Sequence, residues 1–390
     1  VKRLLLIAIS FAMLGTGAFA DTIRIGVIGS FSGPFAGQGR NFKAGIEAWL
    51  AVNGSKVGKN KIQVIYRDVP MPDPAISRAL AQELVLGEKV QYLAGFNFTA
   101  DALAVTPFLQ HADVPMVVMN AAASAIVTTS PYVVRTSFTS AQVAMPMGTF
   151  ARNAGLGKAV TLVSDDACGI EAETAFRTAF EKEEGQIIEA IRMPIAADDF
   201  SPMMRRVLNA GVDALFVSLP SGPAARAFIK AYADAGLAAA GIRLLATGNM
   251  TQEPDLSALG EPAVGLTTTF HYSVSHQSPE NTVFLTAARK AAGEPDELSF
   301  PAVGAYDGMY VLSKMIEATS GRQDAVMAIE AVKGLAWMSP RGPVTIDPDS
   351  RNLIQTIYLR QVTKEGDRYI NKELKAFEKQ GDPGLIYLSR

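Results

Sequence analysis

From residue 22 onward the chain alternates short apolar runs with amphipathic stretches, the pattern of repeated strand–helix–strand units and parallel sheets. Runs at 23–29, 62–68, 92–95 and 116–120 predict strands. Between them, Ala44, Ala48, Ala51 and Val52 share one face at helical spacing, as do Ile76, Ala79, Leu80 and Leu84. After Arg135 the pattern restarts. It predicts helix over 145–153, strand 159–165, helix 171–183, strand 187–193, helix 202–210, strand 214–219, helix 224–236 and strand 243–247. Two doubly wound blocks of similar size are implied. The remainder breaks this rhythm, with a β-branched strand at 265–272, helices at 280–292, 302–320 and 324–332, and two strands within 342–362 around the turn Asp347-Pro348-Asp349. A chain that builds one lobe, crosses to a second and returns joins them by several crossings. Such crossings form a hinge, and the cleft between the lobes is the expected ligand site.

The first twenty residues read differently. Val1-Lys2-Arg3 is basic, residues 4–14 are apolar except Ser10, and Ala18-Phe19-Ala20 has the small-x-small form that signal peptidases cut after. The apolar run is shorter than the roughly 20 residues that a membrane span needs. The expectation is an exported, periplasmic chain cleaved after Ala20. No cysteine at the cleavage site offers a lipid attachment point.

Composition narrows the function. With 36 Lys+Arg against 38 Asp+Glu in 390 residues, the net charge is −2, and loss of Lys2 and Arg3 would take it to −4. Nucleic-acid binding, which draws its affinity from a concentrated basic face, is disfavoured. Hydrophobic residues at 48% and charged residues at 19% allow a large core, and the length favours two lobes. A single cysteine, Cys168, rules out an intrachain disulfide, and three histidines leave little for a metal site. No cofactor or metal is expected.

Catalytic motifs fail one by one. Gly37-Gln38-Gly39 follows the first strand, with Asp68 ending the second, but Phe42 stands where a dinucleotide fingerprint needs a third small residue. Gly29-Ser30-Phe31-Ser32-Gly33 puts Phe31 at the nucleophile position of a hydrolase elbow. Asp165-Asp166 ends a strand, where adjacent side chains point to opposite faces. No histidine neighbours a nucleophile, and His111 reads as a helix-end residue. The chain is not expected to be an enzyme.

Residues 22–39, Thr-Ile-Arg-Ile-Gly-Val-Ile-Gly-Ser-Phe-Ser-Gly-Pro-Phe-Ala-Gly-Gln-Gly, continued by Phe42-Lys43-Ala44-Gly45, carry a specific resemblance. So do Tyr66-Arg67-Asp68, residues 115–124, Ala305-Tyr306-Asp307 and Gly342-Pro343-Val344-Thr345-Ile346-Asp347, in that order. The chain resembles the periplasmic leucine/isoleucine/valine-type solute-binding proteins of ABC importers, with the type I periplasmic binding protein fold. The resemblance implies an α/β molecule of two doubly wound parallel-sheet lobes joined by a three-crossing hinge near 135–142, 266–273 and 342–351. Lobe 1 would comprise 21–138 plus 270–343, and lobe 2 would comprise 139–269 plus 344–390. It also implies closure on a small ligand, a membrane permease as partner, no chemistry on the ligand, and a monomer.

Site residues transfer by position. The family's carboxylate-binding hydroxyl matches Thr99, after Phe98, and its backbone donors match Ala121, Ala122 and Ala123, with Ser124 next. A helix N-terminus there suits an anion, although Thr99 can equally serve as an N-cap. In the second lobe the chain departs from amino-acid binders. An aromatic position falls on Cys168, a tyrosine position near Ser221, and the acid that receives the ligand's ammonium near Gly248, beside Asn249. The expected ligand therefore keeps a carboxylate and lacks the ammonium, such as an aromatic or branched organic acid. Phe98 and Phe31 would give apolar contacts, and Asn249 or Asp166 would bond a distal hydroxyl. The alternative is a hydrophobic or branched-chain amino acid with Asp166 replacing the acid, or a sensor of the same fold. Trp49 and Trp337 read as packing residues, Tyr306 as hinge packing, and Asp307 as a cap or backbone-orienting residue.

Overall fold

The computed structural model describes residues 22–292 and 298–388. The proposed signal segment and its cleavage site lie outside the described residues. Six strands form the first sheet: β1 (Thr22–Gly29), β2 (Lys56–Val57), β3 (Asn60–Asp68), β4 (Tyr92–Gly95), β5 (Met116–Val118) and β6 (Val133–Arg135), in the order β2-β3-β1-β4-β5-β6. All neighbours run parallel except β2 against β3. Central β1 is apolar on both faces because helices cover both. The connections are α1 (Ala36–Asn53), α2 (Pro74–Gln82), α3 (Thr99–Ala112) and α4 (Ala125–Thr128).

The second sheet continues with β7 (Lys158–Ser164), β8 (Gln186–Met193), β9 (Ala214–Ser218), β10 (Arg243–Thr247) and β11 (Thr267–Phe270), all parallel. Its helices are α5 (Ser140–Asn153), α6 (Ala167–Lys182), α7 (Ser201–Asn209), α8 (Pro223–Asp234) and α9 (Glu253–Leu259). Thr139 caps α5 by accepting from Gln142 N, and Asp166 caps α6 by accepting from Gly169 N. The chain then returns, and α10 (Pro279–Ala292), α11 (Phe300–Thr319) and α12 (Ala325–Glu330) pack on the first lobe, with Met309, Leu312 and Ile329 sharing a core with Ile23, Val27 and Phe42. Strands β12 (Ala336–Ser339), β13 (Gly342–Ile346), β14 (Leu353–Glu365) and β15 (Arg368–Gln380) complete the second sheet antiparallel, and α13 (Leu385–Leu388) ends the described chain. No described helix is long and apolar enough to cross a membrane.

The chain passes between lobes after β6 and again after β11. The third passage falls within β14, not over 342–351 as the sequence suggested. Val344, Ile346 and Leu353 sit in the first lobe's core, whereas Leu359 and Val362 sit in second-lobe clusters, so one long strand carries the crossing. A buried ion pair organises this region. Arg341 donates to Asp307 Oδ2 at 2.6 Å, to the carbonyl of Thr136 at 2.9 Å and to that of Ser137 at 3.1 Å. Asp307 also accepts from Trp337 Nε1 at 2.9 Å and Ser339 Oγ at 2.7 Å. Asp307 thus anchors a guanidinium. Trp49 lies in the first lobe's core and Trp337 packs on Tyr310.

Candidate binding cleft

The carboxyl ends of the strands of both sheets face each other across a cavity of about 220 Å³. This is where open parallel sheets bind ligands, because strand ends and helix starts leave backbone groups unpaired. Asn97, Asn120, Ser164, Ser218 and Thr247 stand at or just past the ends of β4, β5, β7, β9 and β10 and line it. Apolar walls come from Phe98, Leu103, Ala122, Phe138, Val143, Ile195, Leu219 and Phe300. Among the described residues that line it there is no Lys, Arg or His, and Asp166 is the sole acid.

In the first lobe the start of α3 faces the cavity. Phe98, not Thr99, occupies the N-cap position, in extended conformation and without a side-chain cap bond. Thr99 and Ala100 line the cavity, and as first-turn residues their N–H groups lack intrahelical partners. Partial positive charge therefore meets the cavity with no cationic side chain. The Thr99 hydroxyl accepts from Ala123 N at 3.2 Å and lies 3.1 Å from Cys168 Sγ across the cleft.

A polar chain supports this wall. Asn97 Oδ1 accepts from Ser30 N at 2.7 Å, and Asn97 Nδ2 donates to Gln38 Oε1 at 2.8 Å. Gln38 Nε2 then donates to Ser221 Oγ on the other lobe at 3.3 Å. Asn120 donates to the carbonyl of Asn97 and to Gln38, while its own Oδ1 is buried without a protein partner. Gly39 belongs to this scaffold: its N–H donates to the Ser30 carbonyl at 3.0 Å, and a Cβ would sit 2.2 Å from that oxygen. The Gly-x-Gly pair is a packing contact.

The second lobe's polar groups are largely satisfied among themselves. Asp166 Oδ1 accepts from Gly169 N and Ser164 Oγ, both at 2.8 Å. Asn249 donates to the Leu219 carbonyl and Thr247 Oγ1 to Ser218 Oγ at 3.0 Å. Burial, then the Asp166 charge, pushes the Cys168 thiol up to about 12. It is therefore a neutral wall group and a poor nucleophile.

Phe98, Thr99, Ala122, Asp166, Cys168, Ser221 and Asn249 are thus brought together around one cavity. Five expected residues are not among its lining. Ala121 turns its N–H to the Phe96 carbonyl at 2.9 Å, and Ala123 gives its N–H to Thr99. Ser124 is fully buried and bonded to Glu171 and Asp382. Gly248 lies behind the wall, its carbonyl accepting from Arg360 Nη2 at 2.9 Å; a Cβ there would meet that nitrogen at 2.2 Å and Phe270 Cβ at 2.3 Å. Phe31 instead packs edge-on against Tyr66, with ring centroids 5.4 Å apart. Sequence reasoning missed Gln38, Asn97, Asn120, Phe138, Ser140 and Phe300. The asparagines carried a usable signal, since each follows a predicted parallel strand; the phenylalanines arrive from the crossing after β6 and the start of α11, with no local pattern marking them.

The family model for periplasmic binding proteins matches residues 22–367. The Leu/Ile/Val-binding protein homolog 6 of Brucella melitensis is 59% identical over 387 residues, 99% of each chain. A solute-binding protein of an ABC transporter from Rhodopseudomonas palustris HaA2, solved with p-hydroxybenzoic acid, is 51% identical with TM-score 0.93, covering 94% of this chain and 100% of that one. Another, from R. palustris BisB5 with 3,4-dihydroxybenzoic acid, is 38% identical with TM-score 0.89, covering 94% and 99%. The ligands of these two neighbours run against the expectation of amino-acid transport. Family model, relatives and fold agree that this chain belongs to the periplasmic binding proteins of the leucine/isoleucine/valine-binding type.

Proposed function

We propose that the protein is the periplasmic receptor of an ABC importer and that it captures a single-ring aromatic carboxylate of the hydroxybenzoate class. The observation that carries this reading is the charge inventory of the cavity. Asp166, the one acid among the described lining residues, caps α6, and the buried guanidinium of Arg360 stands behind Gly248, where a carboxylate would have to receive an ammonium. A buried ammonium without an anionic partner costs several kcal/mol. The uncapped start of α3 suits a carboxylate, Phe98, Phe138 and Phe300 suit a ring, and the Ser164 and Ser221 hydroxyls suit a ring hydroxyl. Size agrees, because a cavity of about 150 Å³ already takes benzene. The ligands of the two Rhodopseudomonas proteins support the same class.

Capture follows by closure: a ligand that touches α3 on one lobe and Ser164 or Ser221 on the other favours the shut state by its extra contacts there. Delivery to a membrane permease, export to the periplasm and a monomeric state complete the proposal. The test is a thermal-shift panel. Benzoate, 4-hydroxybenzoate and 3,4-dihydroxybenzoate are expected to raise Tm, since a ligand that binds only the folded state stabilises it, and leucine and valine are not. Shifts with the amino acids alone would overturn the reading.

A further inference from the structure

Beside the cavity, a hydrogen-bond arrangement joins the lobes without touching ligand. Glu171, one turn along α6 from Cys168, accepts from Ser124 N at 2.8 Å through Oε2 and from Ala141 N at 3.1 Å through Oε1. Ser124 Oγ lies 2.9 Å from Glu171 Oε1 and 2.8 Å from Asp382 Oδ1. A serine hydroxyl has one proton and cannot donate to both. Asp382 is otherwise surrounded by donors: Thr139 Oγ1 at 2.8 Å, Gly384 N at 2.9 Å and Asn352 Nδ2 at 2.7 Å. It can therefore stay ionised and take the Ser124 proton. The short Glu171–Ser124 contact then needs a proton on Glu171.

We propose that Glu171 latches the shut cleft as its neutral acid, so that ligand capture takes up one proton through this side chain. The proposal rests on the closing receptor described above. Glu171 belongs to the second lobe and Ser124 to the first, so opening would separate them and return Glu171 to water. Charges around the latch fit. Asp382 faces it from the segment after β15, and burial with that like charge pushes Glu171 up to about 7. Arg135, fully buried at the end of β6, is the facing cation, but it donates to the carbonyls of Ala123 at 2.6 Å and Phe138 at 3.2 Å. Cys168, on the same helix, is neutral, and the start of α5 contributes only backbone and hydroxyl groups. Ala122 and Ser140, neighbours of the latch partners in sequence, line the cavity, which ties the latch to the bound state.

The test is titration calorimetry with 4-hydroxybenzoate at pH 8, 7 and 6, in buffers of two ionisation enthalpies. An acid whose pKa is higher in the shut state binds protons on closure. Affinity should then rise about tenfold from pH 8 to pH 6, with proton uptake approaching one per ligand at pH 6. Ordinary carboxyl ligands stay ionised over that range. Glu171→Gln, whose amide can still donate to Ser124 Oγ, should bind with flat pH dependence and no uptake, and Asp382→Asn should move the wild-type rise to lower pH. Flat wild-type affinity, or uptake retained in Glu171→Gln, overturns the latch. Failure of 4-hydroxybenzoate to bind at any pH would instead count against the ligand class. The latch is then read by the same titrations with whichever of benzoate, 3,4-dihydroxybenzoate, leucine or valine raises Tm; flat affinity, or uptake retained in Glu171→Gln, would overturn it.

Discussion

The two walls of the cleft are built from the same parts, strand ends and helix starts, yet they differ in what they leave unpaired. On the first wall, Phe98 leaves α3 uncapped, so backbone donors face the cavity. On the second, Asp166 caps α6, and Asn249 and Thr247 are bonded within their own lobe. On the proposed function, the first wall would anchor the ligand, while the second would shape and close the space. On that reading, ligand class can change at a second-wall residue such as Cys168 without disturbing the anchor.

The sharpest way to break this asymmetry is to fill the first wall. Ala122→Leu projects a branched chain into the cavity and should weaken 4-hydroxybenzoate binding about a hundredfold, as overpacking costs of 1–3 kcal/mol imply. Calorimetry alongside an unchanged circular dichroism spectrum checks it. Next, Thr99→Val keeps the shape but leaves the buried Ala123 N–H without its acceptor. It should lose about 1–2 kcal/mol, roughly tenfold in affinity.

His271 sharpens the picture of what stands behind the walls. It is fully buried, stacks on Phe138 with centroids 4.8 Å apart, and has no hydrogen-bond partner on either ring nitrogen. Burial, with Arg341 and Arg360 nearby, holds its pKa well below 6.5. The unfolded chain then binds a proton that the fold refuses, so His271 costs stability as pH falls below 6.5. His271→Phe should lose less stability than wild type between pH 7 and 5, by about 2 kcal/mol, in urea melts at each pH. The smallest effect is expected on the second wall. Ser221→Ala removes only the 3.3 Å contact with Gln38 and should cost about 0.5 kcal/mol, two- to threefold in affinity. A loss as large as that of Thr99→Val would collapse the distinction between the walls.

Much of the fold was legible because buried parallel strands are short apolar runs set between helical faces. The runs at 92–95 and 243–247 coincide with β4 and β10. Strand β15 left no such trace. It pairs only with β14, its outer edge carries Lys372, Lys375 and Lys379, and charged edges blur the alternation that marks a half-buried strand. In the cleft, resemblance brought the reading to turns that border the cavity, but only some of the named residues line it. A turn residue one position away faces another way, so Ala122 lines the cavity while Ala121 and Ala123 spend their N–H groups inside the lobe. Gly248 looked like a missing acid because nothing local announces that Arg360, 112 residues later, fills the space behind it.

The most direct test of the central claim is a calorimetric titration of wild-type protein with 4-hydroxybenzoate and, separately, with phenylalanine, at one pH. Both offer a carboxylate and an aromatic ring, and only phenylalanine brings an ammonium into a cavity where Asp166, the one acid among the described lining residues, already caps α6. The account predicts saturable binding of 4-hydroxybenzoate and no measurable heat with phenylalanine. Tight binding of phenylalanine, with none of 4-hydroxybenzoate, would contradict it.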